Sequence, residues 1–320
     1  MPSSCRVLIT GGDGFVGRYL VRAFKALPQP PEILIGTLGH AGPSEVRSVE
    51  LDVTDSERVR AIIAAEQPTH VVHLAGIAAV AVAQKDIRKT WNTNFGGVLN
   101  VALAIGEAAP DCRLIFCGSA EVYGATFQSG APLDESAALD PITAYGASKA
   151  AADLMIGQMA RQGFKGIRLR PFNHTGPGQS DLFVIPAFAS QIVRIERGEQ
   201  EPVLRVGNLS ARRDFLDVRD VVDAYVRTVL RFDDLPSGCA INVASGTSVG
   251  IDEVLKTLLE LSPKKIAVVR DEARYRAIET ASMSGNAARA QALLDWRPRI
   301  PLAETLRSIL QFYREMPKTP

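Results

Sequence analysis

The chain has 320 residues, 46% hydrophobic and 22% charged, with a formal net charge of +1. That length allows a full core and a second lobe, and the near-neutral balance gives no electrostatic case for a nucleic-acid or membrane-surface partner. The four cysteines (Cys5, Cys112, Cys117, Cys239) and four histidines are scattered, no run reaches transmembrane length and no signal peptide is apparent, so a reduced, cytoplasmic protein without metal or disulfides is expected.

The first predicted element is a β-branched strand over residues 6–10, and a glycine loop follows it. Gly11, Gly14 and Gly17 have the spacing G-x-x-G-x-x-G and open a helix over 14–26. Glycine there permits a tight turn and lets the backbone approach a pyrophosphate seated on the helix N-terminus. Gly11, Asp13, Gly14, Phe15, Val16 and Gly17 are therefore candidate dinucleotide contacts. A second strand, over 33–36, ends at Thr37 and His40. It carries neither a carboxylate for an NAD 2′-hydroxyl nor an arginine for an NADP 2′-phosphate. NADP is expected ahead of strict NAD, with Thr37 or His40 near the ribose.

A third strand, over 48–51, leads to Asp52 and Val53, which are placed for the adenine edge. Asp52 reads equally well as an acid at the N-terminus of a helix over 56–65. A strand over 70–75 ends in His73, Leu74, Ala75 and Gly76, and a helix over 89–108 follows. Asn94 lies within that mostly apolar helix, and a buried amide needs partners. It either fixes backbone near an active site or bonds within the core.

The strand over 113–118 runs into a polar tip, Ser119-Ala-Glu121, with Tyr123 beyond it. The next helix, over 144–161, opens on Tyr145 and Lys149. Positions i and i+4 share a helix face, so both heads can address one bound molecule. A nearby ammonium is expected to lower the phenol from its usual pKa of ~10, which suits it to pass a proton to a sugar oxygen. Ser119 can bond the same oxygen, or simply cap the strand end. Glu121 is a candidate general base or an ordinary loop acid. A strand over 166–170 completes the alternation.

Strand–helix alternation with near-continuous apolar strands predicts an α/β fold, a doubly wound parallel Rossmann sheet. After Pro171 the texture changes. A Gly/Pro loop over 173–180 precedes a helix over 184–197, a strand over 203–206 and a helix over 218–231. Elements near 241, 251–261 and 266–269 come next, then a last helix over 302–314. The expected division is a dinucleotide domain over 1–172 and a smaller C-terminal α/β substrate lobe over 173–320, with some segments crossing back.

Taken together, the 10–17 loop, His73-Leu-Ala-Gly76, Asn94, the 119–124 tip and Tyr145-x-x-x-Lys149 resemble the extended short-chain dehydrogenase/reductase family of nucleotide-sugar enzymes. The resemblance covers nearly the whole chain. It implies bound NADP(H) or NAD(H), with Ser119, Tyr145 and Lys149 as the catalytic set and Leu74, Ala75, Gly76, Asn94 and Phe172 near the cofactor. The stretches 170–179 and 206–220 look like the GDP-sugar branch, which holds reductases and 4,6-dehydratases. That match implies Arg276 on the diphosphate, Glu279 on the ribose hydroxyls, Arg213 as a second phosphate contact and Asn173 against the sugar.

Serine at position 119, where the branch's dehydratases have threonine, favours a reductase acting on the C4 ketone of a GDP-4-keto-6-deoxy-hexose. Retained Glu121 keeps a dehydratase open, and a 4-epimerase is a third possibility. A dinucleotide-sensing regulator is the non-enzyme alternative, disfavoured because both Tyr145 and Lys149 are present. The family also implies a homodimer through helices 89–108 and 144–161, where Ala150, Ala151 and Ala152 would allow close approach.

Overall fold

The computed structural model describes residues 5–39, 46–272 and 280–317. His40, Arg276 and Glu279 lie outside the described residues. The first half runs β1 (Arg6–Thr10), α1 (Phe15–Lys25), β2 (Glu32–Thr37), β3 (Arg47–Glu50), α2 (Ser56–Glu66), β4 (His70–His73), α3 (Val80–Lys85), α4 (Ile87–Trp91), a π-helical turn (Asn92–Gly96), α5 (Gly97–Ala108), β5 (Arg113–Cys117), α6 (Ala144–Arg161) and β6 (Gly166–Pro171). The second half adds β7 (Asn173–Thr175), α7 (Val184–Glu196), β8 (Val203–Val206), β9 (Arg212–Asp217), α8 (Val218–Leu230), β10 (Ala240–Val243), β11 (Ser248–Gly250), α9 (Ile251–Glu260), β12 (Ala267–Arg270), α10 (Ala288–Leu294) and α11 (Leu302–Glu315).

Seven strands form one sheet in the order β10-β6-β5-β4-β1-β2-β3, with every pairing parallel. Apart from the exposed edge strand β3, both faces are buried, which is why the strands read as apolar runs rather than as alternation. Val7, Ile9 and Ile115 pack on one face with α1 and α8; Leu8, Leu114 and Phe116 pack on the other with α2 and α5. Strand order reverses between β1 and β4. In such sheets a crevice opens at the carboxyl ends beside that reversal, where ligands bind.

The expected boundary at residue 172 is crossed by the chain. Helix α8 returns to pack with α1, and β10 adds the seventh strand beside β6. The remaining C-terminal segments build a separate lobe. It has a three-stranded sheet, β11-β9-β7, a parallel pair, β12-β8, and a core of α7, α9 and α11 side chains including Phe188, Leu258 and Ile309.

The helix expected over 89–108 is not continuous. One π turn interrupts it, and Asn94 sits in that turn, fully buried. Its Oδ1 accepts from the Ile77 N–H at 2.8 Å, and its Nδ2 donates to the Ile77 carbonyl at 3.1 Å and to Ser148 Oγ at 3.2 Å. The widened turn aims the amide inward, where it satisfies loop backbone that β4 leaves unpaired.

Candidate active site

The glycine loop is built as the spacing requires. Gly11 has φ +66°, a conformation that glycine adopts without strain. A Cβ on Gly17 would lie 2.6 Å from the Gly12 carbonyl oxygen, so only glycine lets α1 pack this close to its own loop. The N-terminus of α1 has no side-chain cap, and its first turn has no acid. Its orphan N–H groups and positive dipole end therefore remain available to an anion, which is the fit a dinucleotide pyrophosphate needs.

A cleft of about 1790 Å³ runs from this loop to the C-terminal lobe. Residues 13–17, Thr37, Asp52, Val53, Leu74, Ala75 and Gly76 line its dinucleotide end, and Phe172 lines it as well. Asp52 does not start α2. The N-cap is Asp55, which accepts from the Arg58 N–H at 2.9 Å, whereas Asp52 ties down Thr54 and faces the cleft. Asn94 takes the first of its two expected roles: buried behind the wall, it fixes the backbone of Ile77, which lines the cleft.

The catalytic candidates come from two elements that glycine brings together. Thr143 caps α6 by accepting from the Gly146 N–H at 2.9 Å. A Cβ on Gly146 would lie 2.6 Å from the Glu121 carbonyl oxygen, so this glycine lets the first turn of α6 touch the tip of β5. Tyr145 and Ser119 thereby meet, both lining the cleft. Ser119 Oγ accepts from the Glu121 N–H at 3.2 Å and hydrogen-bonds the Tyr145 side chain.

The expected lowering of the Tyr145 pKa is not found. Burial pushes the phenol up to about 12, the Ser119 hydrogen bond opposes this, and the negative Glu121 adds to it. Lys149 does not offset the rise, because its ammonium is turned to the Cys117 carbonyl at 2.9 Å. Burial lowers Lys149 itself to about 8, with the Cys117 thiol opposing.

Glu121, Asn173 and Arg213 line the lobe end of the same cleft. Arg213 Nη1 donates to the carbonyls of Arg212 and Thr280 at 2.8 and 3.0 Å, which aims the guanidinium along the wall. Burial lowers the Arg213 pKa, and Glu121 opposes that shift.

Sequence reasoning gave no role to Thr10, His73 or Tyr225. Thr10 and His73 bond each other beneath the Leu74–Gly76 wall, with Nδ1 to Oγ1 at 3.1 Å. Tyr225, from the returning α8, lies buried against Cys117. A polar residue at the end of each apolar strand was the available signal for the first two. Nothing local marks Tyr225, because its placement depends on the crossing back of α8.

The model of the NAD dependent epimerase/dehydratase family matches residues 7–244. The chain belongs to this family. Family members are NAD(P)-dependent enzymes, and the α1 N-terminus with its three glycines fits such a cofactor. Among curated relatives, the GDP-6-deoxy-D-mannose reductase of Pseudomonas aeruginosa is 33% identical over 306 residues, covering 95% of this chain and 96% of the relative. The GDP-6-deoxy-D-talose 4-dehydrogenase of Aggregatibacter actinomycetemcomitans is 25% identical, over 88% of each. Among solved structures, RMD from Pseudomonas aeruginosa complexed with NADPH superposes with a TM-score of 0.85 at 31% identity, covering 97% of this chain and 99% of that one. The UDP-glucose 4-epimerase of Thermus thermophilus in complex with NAD gives 0.85 at 26%, with the same coverage.

Proposed function

We propose that this protein is a nucleotide-sugar reductase that converts the C4 ketone of a GDP-4-keto-6-deoxy-hexose to the alcohol at the expense of NADPH. The observation that carries this reading is the convergence of Ser119 and Tyr145 in a cleft that continues from the dinucleotide loop to Arg213. The likeness to a GDP-6-deoxy-D-mannose reductase selects the sugar class.

A reduced dinucleotide, held through its pyrophosphate at the β1–α1 loop, would supply the hydride. Ser119 donates its hydroxyl proton to the ketone oxygen and holds it beside Tyr145. Tyr145 delivers the proton as negative charge develops on that oxygen. A phenol with its pKa raised to about 12 remains a stronger acid than a sugar alcohol, so this transfer runs downhill. Lys149, a buried cation held on the Cys117 carbonyl, would hydrogen-bond the cofactor's ribose. Arg213 meets the sugar-nucleotide diphosphate, with Arg276 as its expected companion, and Glu279 and Asn173 orient the sugar nucleotide.

A second reading is redox-neutral chemistry at the same carbon, as in a 4-epimerase or a 4,6-dehydratase. It is favoured by Glu121, a carboxylate whose charge reaches Tyr145. Net consumption of NADPH separates the two, since neither alternative consumes any. The deciding experiment follows NADPH absorbance with freshly made GDP-4-keto-6-deoxy-mannose. Stoichiometric oxidation supports the reductase; constant absorbance sinks it for that substrate.

The expected homodimer is part of the same reading. Leu103 on α5 and Leu154 on α6 are 48% and 59% exposed on helices that pack together. Light scattering on the purified chain reads the mass directly. A cytoplasmic site of action fits the four cysteines, all free thiols.

A further inference from the structure

We propose that His73 is a positioning residue for Lys149: its Nε2 accepts a hydrogen bond from the ammonium through one bridging water and so fixes the lysine head where it would meet a bound cofactor. The catalytic consequence rests on the reductase reading above; the contact itself does not.

Lys149 is only 5% exposed. An ammonium has three N–H donors, and buried donors need acceptors. The Cys117 carbonyl takes one. On the cleft side Nζ lies beside Gly76, in ordinary contact distance of where a Cβ would be, at 3.6 Å; a second donor would serve a cofactor bound there. The third needs a partner within the protein.

His73 stands where that partner is required. It is the register neighbour of Phe116 in the parallel β4–β5 pair, and register partners project to the same face about 4.8 Å apart. The Lys149 ammonium lies over the Phe116 ring, 5.2 Å from its centre. The imidazole is fully buried, and its Nε2 is one of two buried side-chain polar atoms without a hydrogen bond among the described residues.

The tautomer follows from the charge. A proton on Nε2 would aim an N–H at a cation. With the proton on Nδ1, that N–H donates to Thr10 Oγ1, which also accepts from the Ala75 N–H at 3.2 Å, and the Nε2 lone pair faces the ammonium. Burial, aided by Lys149, lowers His73 to about 3, so the lone pair persists at working pH. The titratable groups facing Lys149 from other elements are His73 on β4 and the Cys117 thiol on β5. Tyr145 precedes it by one turn on α6, and Asp153, one turn later, is spent on Arg168 and Arg170.

The test uses the full, cofactor-free chain labelled with ¹⁵N-histidine. Only four imidazoles contribute, and His73→Asn assigns the one in question. The expected result is a neutral Nδ1–H tautomer across about pH 6 to 10. Its bare-nitrogen shift should move with a midpoint near pH 8, where Lys149 titrates, and stay still in Lys149→Met. An Nε2–H tautomer, or a shift that is flat through that range, overturns the assignment.

The second arm is the pH profile of kcat/KM for ketone reduction. His73→Leu removes the acceptor, so Lys149 loses its proton earlier and the alkaline limb moves down by about one pH unit. In His73→Gln the amide oxygen can accept, and the limb should return. An equal loss at every pH in both variants would mean packing alone and would overturn the positioning role. If the wild type itself does not turn over this ketone, the reductase reading fails while the tautomer measurement still decides the contact.

Discussion

The Lys149 ammonium bonds the Cys117 carbonyl at 2.9 Å, two residues before Ser119 on the same strand tip. One helix thus delivers two heads to two different places: Tyr145 to Ser119 in the cleft wall, and Lys149 to the strand beneath it. The lysine is locked by backbone, so its charge is fixed before any cofactor arrives. That is electrostatic preorganisation, and its cost is a buried cation whose pKa has fallen to about 8.

Tyr145→Phe removes the proton donor and nothing else of size. General acid–base groups contribute about 10²- to 10⁴-fold, so kcat should fall within that range. Ser119→Ala should cost less, because Tyr145 still reaches the ketone oxygen. Neither change touches the glycine loop, so NADPH affinity by fluorescence titration should stay within about twofold of wild type. A Tyr145→Phe enzyme with full turnover would remove the phenol from the mechanism.

Gly17→Ala probes the cofactor loop. The new Cβ would fall 2.6 and 2.7 Å from two carbonyl oxygens, so loop and helix must separate. Overpacking of this kind costs about 1–3 kcal/mol and should weaken dinucleotide binding more than tenfold. Gly106→Ala is the control. It lies in α5 with nothing within 4 Å of the added atom, and alanine there should stabilise the helix by about 0.5–1 kcal/mol. Urea midpoints together with NADPH titration read both effects.

The order of chemistry along the chain was legible because its signals are local. Gly11, Gly14 and Gly17 lie within seven residues, and Tyr145 and Lys149 within five, so spacing alone places them. Three features escaped. The π turn at Asn94 depends on backbone of the distant Ile77, and periodicity does not register a single inserted residue. Crossing back of some C-terminal segments was expected; that α8 and β10 are the ones that return was not, because it depends on which sheet edge is open, which no local pattern encodes. The direction of the Tyr145 pKa was misread because burial outweighs a cation that is bonded elsewhere.

Stability should respond to pH in two windows. His70 and His73 are lowered to about 4 and 3, by burial first and by Arg113 or Lys149 second. The unfolded chain binds protons at these sites below about pH 6.5, and the folded chain does not. Stability is therefore full above pH 6.5 and declines as pH falls toward 3. Lys149 acts in the alkaline range. Unfolded lysine keeps its proton up to about 10.4, whereas the folded residue releases it near 8, so stability rises with pH between those values. Lys149→Met should accordingly stabilise the fold at neutral pH, with the gain shrinking toward pH 10, while activity is lost. Chemical denaturation across a pH series checks both windows; a gain for Lys149→Met that does not change with pH would contradict the second.

Asp153 should be the most sensitive structural position near the site. It is fully buried on α6 and holds two arginines of β6, Arg168 at 2.7 Å and Arg170 at 2.8 Å. Arg170 continues to the Tyr123 hydroxyl at 2.9 Å, and Tyr123 donates to Asn242 on β10 at 2.7 Å. One carboxylate therefore ties the catalytic helix to the strand that returns from the C-terminal lobe. Removing it strands two guanidiniums in a desolvated site, and breaking a buried pair in this way costs about 3–5 kcal/mol. Asp153→Ala should lower the unfolding free energy read from urea denaturation by that amount, and Asp153→Asn by less, because its amide oxygen still accepts from one arginine. If Asp153→Ala unfolds within about 1 kcal/mol of wild type, the network contributes little and α6 is held to the sheet by apolar packing alone.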